Sequence, residues 1–523
     1  MPTVLLNINR INKLIGKALS KDGLEQALTS IGTAVEKIEG EELELEVFPN
    51  RPDLLSEEGV ARALRYYLGV QKHLITYDIK KGKEEVFTEK EALTLRPHIR
   101  MFIAKNVKEF SFEGLIQLQE KLHVTHGRRR KAVSIGVHDA SAVSFPVYYK
   151  AVDSSFKFIP LGWEKEASIK EILEKHDKGI KYGHLLTGTS YPLWIDAENK
   201  VLALPPIING IYTAVSPKTK DFVVDVTGMD EKKVDEIAKI LASHFYELTP
   251  EIYDVKINGN YYLDMSYRKK KVSGKEIQDY LGINIDVKKA LFKMGVGYEN
   301  ETALIPPYRT DILHPIDIIE DVAIGYGYDN FEAVIPQIPG VGEEHTSNIL
   351  ERTIKAVFVG LNAIEVKNYH LSNEEIMFSK LNLTPQTIIE VENPMNQEYY
   401  MLRTHLTPQL LENLSHNKLY EYPQFIFEIG SVFEKLKEKR HLAFAYIGKD
   451  AGFSKAKGIM ERLLKELGIK AEFLPHSSPF LLEGRSASIK SKILEGYFGE
   501  VHPSVLNNFE LELPTIIGEF RIK

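Results

Sequence analysis

Four carboxylates stand close together in this chain, at Asp311, Asp317, Glu320 and Asp321. Pro315 can open a helix between them, because its missing N–H is one that a first turn leaves unpaired anyway. His314, before it, is biased out of helical geometry. Asp317, Glu320 and Asp321 then fall at i, i+3 and i+4 and share one helical face. Asp311 lies just ahead of the helix and could turn back toward that face. Carboxylates this close repel and raise one another's pKa unless a cation sits among them. A set of hard oxygens without His or Cys suits Mg²⁺ better than zinc. The competing reading is that Asp317 caps the helix and complements its dipole while the other acids face water.

That helix belongs to a segment that the chain contains twice. Pro49-Asn50-Arg51-Pro52-Asp53-Leu54-Leu55 runs through an apolar-periodic helix to Gly69, and Pro307-Tyr308-Arg309-Thr310-Asp311-Ile312-Leu313 runs through a similar one to Gly327. An offset of 258 aligns Pro49 with Pro307, Arg51 with Arg309, Asp53 with Asp311 and Gly69 with Gly327. Upstream, Ala27-Leu28-Thr29-Ser30-Ile31-Gly32 is echoed by Ala290-Leu291-Phe292-Lys293-Met294-Gly295. The shared residues imply a shared fold, and Asp311, matched by Asp53, is in part structural. Where the second copy has Asp317, Glu320 and Asp321, the first has Gly59, Arg62 and Ala63. Those acids were not needed to fold the first copy, which points to a separate use in the second.

At 523 residues the chain is expected to form three to five domains, each with its own core. Apolar content of 43% and charged content of 27% are those of an ordinary globular protein. No apolar run approaches a membrane span, and the start, Met1-Pro2-Thr3-Val4, lacks the features of a signal peptide. The absence of cysteine excludes disulfides and thiolate-zinc sites and fits a reducing compartment. A net charge of −7 leaves nucleic acid open, because binding needs only a local basic surface. Two basic runs exist, Arg128-Arg129-Arg130-Lys131 and Arg268-Lys269-Lys270-Lys271. Each reads either as a solvated loop or edge strand or as an RNA contact. His123 and His126 read as surface residues or RNA contacts. No phosphate-binding glycine loop, dinucleotide fingerprint, zincin helix or nucleophile elbow is present.

Along the chain, residues 4–77 read as an α/β unit and the charged stretch 80–85 as a linker or exposed turn. Residues 92–264 read as an α+β domain, with strands at 133–137 and 222–226, helices at 169–174 and 232–244, and a short strand at 261–264. The second repeat spans about 267–336 and ends in a Pro/Gly boundary at 336–342. The rest alternates helices (348–360, 454–467) with strands (425–429, 442–447), which suggests a mostly antiparallel sheet flanked by helices.

The chain resembles the beta subunit of phenylalanyl-tRNA synthetase in its shorter archaeal and eukaryotic form, in order and over essentially the whole length. The carrying motifs are Asn50-Arg51-Pro52-Asp53-Leu54-Leu55-Ser56, Ser134-Ile135-Gly136-Val137-His138-Asp139, Leu204-Pro205-Pro206-Ile207-Ile208-Asn209 and Asp225-Val226-Thr227-Gly228. Further along come Ile318-Ile319-Glu320-Asp321-Val322-Ala323 with Gly325-Tyr326-Gly327-Tyr328-Asp329, and Leu402-Arg403-Thr404 followed by Glu428-Ile429-Gly430.

The resemblance implies a multidomain α+β chain. It would hold duplicated small α/β modules, an α+β editing domain and a degenerate class II synthetase-like antiparallel sheet flanked by helices. The implied domains are a B1-like module at 1–80, a B3/B4 editing domain at 85–264, a B5 domain at 267–337 and an inactive B6/B7 catalytic-like domain at 340–523. Asp311, Asp317, Glu320 and Asp321 match the family's Mg²⁺ ligands, with an architectural role beside the partner subunit. Asn209, Asp225 and Thr227 would line a pocket that hydrolyses tyrosine mischarged onto the phenylalanine tRNA. An apolar synthetic pocket rejects an added hydroxyl only weakly, so a second pocket must sort the products. Position 210 is Gly where some relatives have Ser, which puts a hydroxyl contact there in doubt. The residue pattern alone allows a plainer reading, in which Asp225 and Thr227 merely alternate on one strand face. Residues 514–523 lack the arginine motif that holds ATP in class II cores. Adenylation is therefore expected in an alpha subunit, within a cytoplasmic (αβ)₂ ligase that uses ATP, phenylalanine and Mg²⁺. Arg128, Arg129, Arg130 and Lys131 become the tRNA-facing candidates. The alternatives are a free-standing deacylase or RNA-binding scaffold, and a metal-dependent enzyme centred on the acids.

Overall fold

Both copies of the repeat fold in one element order. The first runs from strand Thr3–Asn7 through helices Ile8–Ile15 and Lys21–Ser30 and strands Ala34–Glu39 and Glu42–Glu46 to helix Glu57–Tyr67. The second runs from strand Arg268–Lys271 through helices Gly274–Leu281 and Val287–Lys293 and strands Gly297–Glu299 and Thr302–Ile305 to helix Pro315–Tyr326. In each three-stranded sheet the last strand lies between the other two. Period-two burial drives the packing: Val4 and Leu6 are buried while Leu5 stays out, and Leu43 and Leu45 are buried in the central strand. Each last helix is capped at its start. Ser56 accepts from the Gly59 N–H, and His314 and Asp317 form a capping box. The basic stretch Arg268–Lys271 is an edge strand.

This computed structural model describes residues 2–336 and 340–523; Met1 and the Gln337, Ile338 and Pro339 part of the expected Pro/Gly boundary lie outside the described residues. The chain divides into two units, Met1–Ile335 and Pro336–Lys523.

Between the repeats, unit one carries a nine-stranded sheet. Its strand order is Ile208–Asn209, Val201–Leu204, Ser190–Ile195, Val147–Asp153, Lys80–Thr88, Ile252–Ile257, His98–Ala104, Phe222–Gly228, Val133–Asp139. Helix Glu231–Tyr246, whose N-cap Asp230 accepts from Lys233, packs Val234, Ile237, Leu241 and Phe245 against this sheet, where Phe245 meets Phe102 and Phe222. Two expectations fail here. Residues 80–85 are no linker: they begin a central strand, paired in parallel with Ile252–Ile257 and Val147–Asp153. Residues 261–264 form no strand, because the Asp254 carboxylate accepts from the Tyr262 and Leu263 N–H groups and satisfies that backbone instead.

Unit two is built on a seven-stranded sheet in the order Ile364–Glu365, Gln424–Glu434, Lys437–Ile447, Thr515–Ile522, Leu494–Val501, Leu481–Lys490, Leu474–Pro475. All its neighbours pair antiparallel except the first two. Helices Thr346–Gly360 and Phe453–Glu466 bury Ile354, Phe358, Met460 and Leu463 on one face, and helix Thr407–His416 buries Leu410, Leu411 and Leu414 on the other. Among the described residues no helix is long and apolar enough to cross a membrane.

Candidate functional site

The chain itself supplies a cation to two of the four neighbouring carboxylates. Arg309, fully buried, pairs with Asp311 at 2.8 Å and with Asp321 at 2.9 Å. Burial pushes the Asp321 carboxyl above its ordinary value, and Arg309 pulls against that. The first copy carries the mirror arrangement: Asp53 lies between Arg51 at 2.8 Å and Arg62 at 3.8 Å. Burial opposes ionisation of Asp53, yet Arg51, Arg62 and Arg309 hold it below the carboxylate range. One acid between two arginines has become one arginine between two acids. The first copy's residues are equally constrained, since a Cβ at Gly59 would stand 1.8 Å from the Asp53 carbonyl oxygen. The two copies also touch, with the Arg62 guanidinium 3.9 Å over the Tyr308 ring.

Asp311, Asp317, Glu320 and Asp321 all line one cavity of about 930 Å³ between the copies, together with Asn50, Arg51 and Arg309. Hard oxygens facing a common space suit Mg²⁺ in kind. Their other duties bear on the fit: Asp311 and Asp321 are engaged by Arg309, and Asp317 accepts from the Leu313 and His314 N–H groups at 2.7 Å each. Only Glu320 stands exposed. Among the described residues no three His, Cys, Asp or Glu side chains are arranged to hold a metal as they stand.

The second constellation lies on the large sheet. Asp225 and Thr227 share one face of strand Phe222–Gly228, directly across from Gly136 and Ser134. Asp225, 2% exposed, lines a cleft of about 20 Å³ with Arg130, Pro205, Pro206 and Asn209. That volume holds about one water molecule. Thr227 does not line it; its hydroxyl is bound by Arg96 Nε at 2.9 Å and Ser134 at 2.8 Å. Asn209 donates to the Val137 carbonyl at 3.3 Å. Asp225 Oδ2 and His138 Nε2 are 2.9 Å apart, and His138 Nδ1 is 2.8 Å from the Thr213 hydroxyl.

Helix Phe112–Val124 ends near this cleft in a turn where Arg128, Arg129 and Arg130 all adopt positive φ. The turn separates the basic run. Arg128, Arg129 and Lys131 are exposed, whereas Arg130 is buried, donating to the Pro206 and Ile207 carbonyls and to Glu120. His123 is not at the surface as expected but 1% exposed, accepting from the Ile135 N–H.

Comparison with known proteins decides the family. Residues 270–328 match the family model of the tRNA synthetase B5 domain, and residues 331–522 match that of the phenylalanyl tRNA synthetase beta chain CLM domain. The phenylalanine–tRNA ligase beta subunit of Archaeoglobus fulgidus is 38% identical, over 98% of this chain and 97% of that one. Those of Methanosarcina barkeri and Methanococcus aeolicus are 36% and 35% identical over 99% and 100% of the chain and all of their own lengths. The chain belongs to the phenylalanine–tRNA ligase beta-subunit family. A crystal structure of an N-terminal fragment of the Pyrococcus horikoshii phenylalanyl-tRNA synthetase beta subunit, 34% identical, covers 62% of the chain and 99% of the fragment with a TM-score of 0.59.

As a ligase beta subunit, the chain holds a third cluster in unit two, around the motif residues Arg403 and Glu428. They pair at 2.8 Å and are both buried; Arg403 also donates to the Ser431 carbonyl and to Gln409. Beside them Glu519 accepts from the Leu406 and Thr407 backbone and pairs with His441 at 2.8 Å. Burial opposes its ionisation, but His441, His405 and the Thr407 hydroxyl bring it down to about 2. His138, Gly136 and Thr213 were missed as functional candidates. The available signal was the alternation of Ser134, Gly136 and His138 on one face of a strand that the family motif already marks.

Proposed function

We propose that this chain is the editing-competent, non-adenylating subunit of an (αβ)₂ ligase that joins phenylalanine to its tRNA with ATP and Mg²⁺ in the cytoplasm. In this reading residues 1–80 and 267–337 are the paired B1-like and B5 modules, 85–264 the editing domain and 340–523 the packing partner of the alpha subunit. The observation that carries the editing role is the cleft that gathers Asp225 and Asn209 from two separate strands of the sheet. A buried carboxylate is a fit acceptor for the hydroxyl that distinguishes tyrosine from phenylalanine, and a site built to bind a hydroxyl rejects the analogue lacking it. Thr227 would act from behind, holding Ser134 and Arg96. The cleft has to open to admit an aminoacyl group.

The placement of adenylation in the alpha partner rests on saturation. Buried Arg403 is taken up by Glu428, Gln409 and the Ser431 carbonyl, and buried Glu519 by His441, Thr407 and the Leu406 N–H, so these groups are committed within the chain rather than held out to a nucleotide. Asp311, Asp317, Glu320 and Asp321 are the residues that would hold Mg²⁺ in this chain, against the competing claim of Arg309. Titration of Mn²⁺, a spectroscopic stand-in, should then show a weak site that Glu320→Gln abolishes. A site untouched by Glu320→Gln and Asp317→Asn lies elsewhere.

Co-expression with the alpha subunit of the same host tests the whole. The complex is expected to charge phenylalanine and to hydrolyse tyrosyl-tRNA, while the chain alone does not charge. Charging by the unaccompanied chain overturns the assignment, and a stable deacylating monomer that never binds an alpha subunit identifies a free-standing deacylase.

A further inference from the structure

The Asp225 carboxylate is fixed from one side. A carboxylate only accepts hydrogen bonds, so the nitrogen 2.9 Å from its Oδ2, His138 Nε2, has to carry the proton. In the neutral ring Nδ1 is then an acceptor, and the Thr213 hydroxyl at 2.8 Å donates to it. His138 and Thr213 are both 0% exposed, which shields this pair of hydrogen bonds from bulk solvent. Thr213 closes the short helical turn Ile211–Thr213 that follows Asn209, so the chain of bonds runs from the loop beside the cleft back to the carboxylate. Space for the pair depends on one residue. Gly136 is directly opposite Asp225 in the strand register, and a Cβ there would stand 1.9 Å from Asp225 Oδ2 and 2.7 Å from His138 Nε2.

We propose that His138 is a positioning residue for editing: with its tautomer set by Thr213, it binds one oxygen of Asp225 and keeps the carboxylate turned to the cleft, where it accepts the hydroxyl of a tyrosyl group. The inference rests on the editing reading above. Phenylalanyl esters offer no such donor, so His138 acts on the choice between substrates more than on hydrolysis as such.

The test uses the assembled complex and measures single-turnover hydrolysis of tyrosyl-tRNA and phenylalanyl-tRNA separately. His138→Leu should lower the tyrosyl rate about tenfold or more, the worth of a hydrogen bond to a charged group, and lower the tyrosyl-to-phenylalanyl ratio with it. His138→Gln, which keeps an N–H donor, should restore most of both. Thr213→Val should fall between, because the ring is freed to adopt the other tautomer, and Thr213→Ser should match wild type. Unchanged rates and ratio in His138→Leu overturn the proposal, as does a Gln variant as impaired as Leu. Should His138→Leu fail to assemble, equal ratios in Thr213→Val and Thr213→Ser overturn it instead. Wild-type complex that hydrolyses neither ester overturns the editing reading itself, a result distinct from all of these.

Discussion

A single hydrogen or its absence decides several positions in this chain. At Gly210 an added Cβ would stand 2.1 Å from the Val201 carbonyl oxygen, a backbone atom that cannot swing aside. Gly210→Ser should therefore lower stability by about 1–3 kcal/mol and give no gain in tyrosyl-tRNA hydrolysis; a melting curve and a deacylation assay read both. His123 is a second such position. Burial, with Arg130 and Lys178 nearby, outweighs the pull of Glu120 and lowers it to about 4 from an ordinary 6.5. The unfolded chain thus takes up a proton that the folded one refuses, and stability is lost as pH falls from about 6.5 to 4. His123→Gln should flatten that part of the stability-versus-pH curve, as followed by chemical denaturation.

At the scale of elements, the same scaffold carries opposite charge patterns, and its capping residues are separable from them. Asp317 accepts two N–H groups ahead of helix Pro315–Tyr326, so Asp317→Ala should cost about 1 kcal/mol and raise amide exchange at 313–317. Asp317→Asn should keep most of the cap. Much of this level was legible in the sequence: the repeat, the Pro315 start, the flanking helices and the presence of antiparallel strands follow from period and punctuation, although the strands read at 425–429 and 442–447 extend over Gln424–Glu434 and Lys437–Ile447. Three things were not. The strand Lys80–Thr88 is charged because only Gly82 and Val86 are fully buried along it, and its neighbours on both sides come from distant sequence. Arg309 reads from local spacing as a turn residue shared by the two copies, and only the tertiary fold makes it the counter-ion of Asp311 and Asp321. Asp225 was legible as a strand residue, but its partner His138 lies 87 residues away and is joined to it by sheet register.

For the molecule as a whole, an overall charge of −7 leaves RNA binding to local surface. The left-handed turn sorts the basic run into two roles, and that makes the tRNA assignment measurable. Arg128, Arg129 and Lys131 reach solvent, so replacing each with Gln should weaken tRNA binding about equally for any sequence. Each should also reduce the slope of log affinity against log salt by about 0.7–0.9, the counterion share of one phosphate. Arg130 is consumed by Glu120 and by the Pro206 and Ile207 carbonyls that border the cleft. Arg130→Gln should leave the salt slope nearly unchanged while lowering thermal stability and tyrosyl-tRNA hydrolysis together. The edge strand supplies the control. Arg268 and Lys270 donate to the carbonyls of Arg309, Ile312 and Leu313, holding the turn before the acidic helix, so the exposed Lys269 and Lys271 are its cationic positions for comparison. Equal salt slopes for variants of both basic runs would mean that tRNA is attracted by the surface at large, and the turn would then serve only to seat Arg130 behind the cleft.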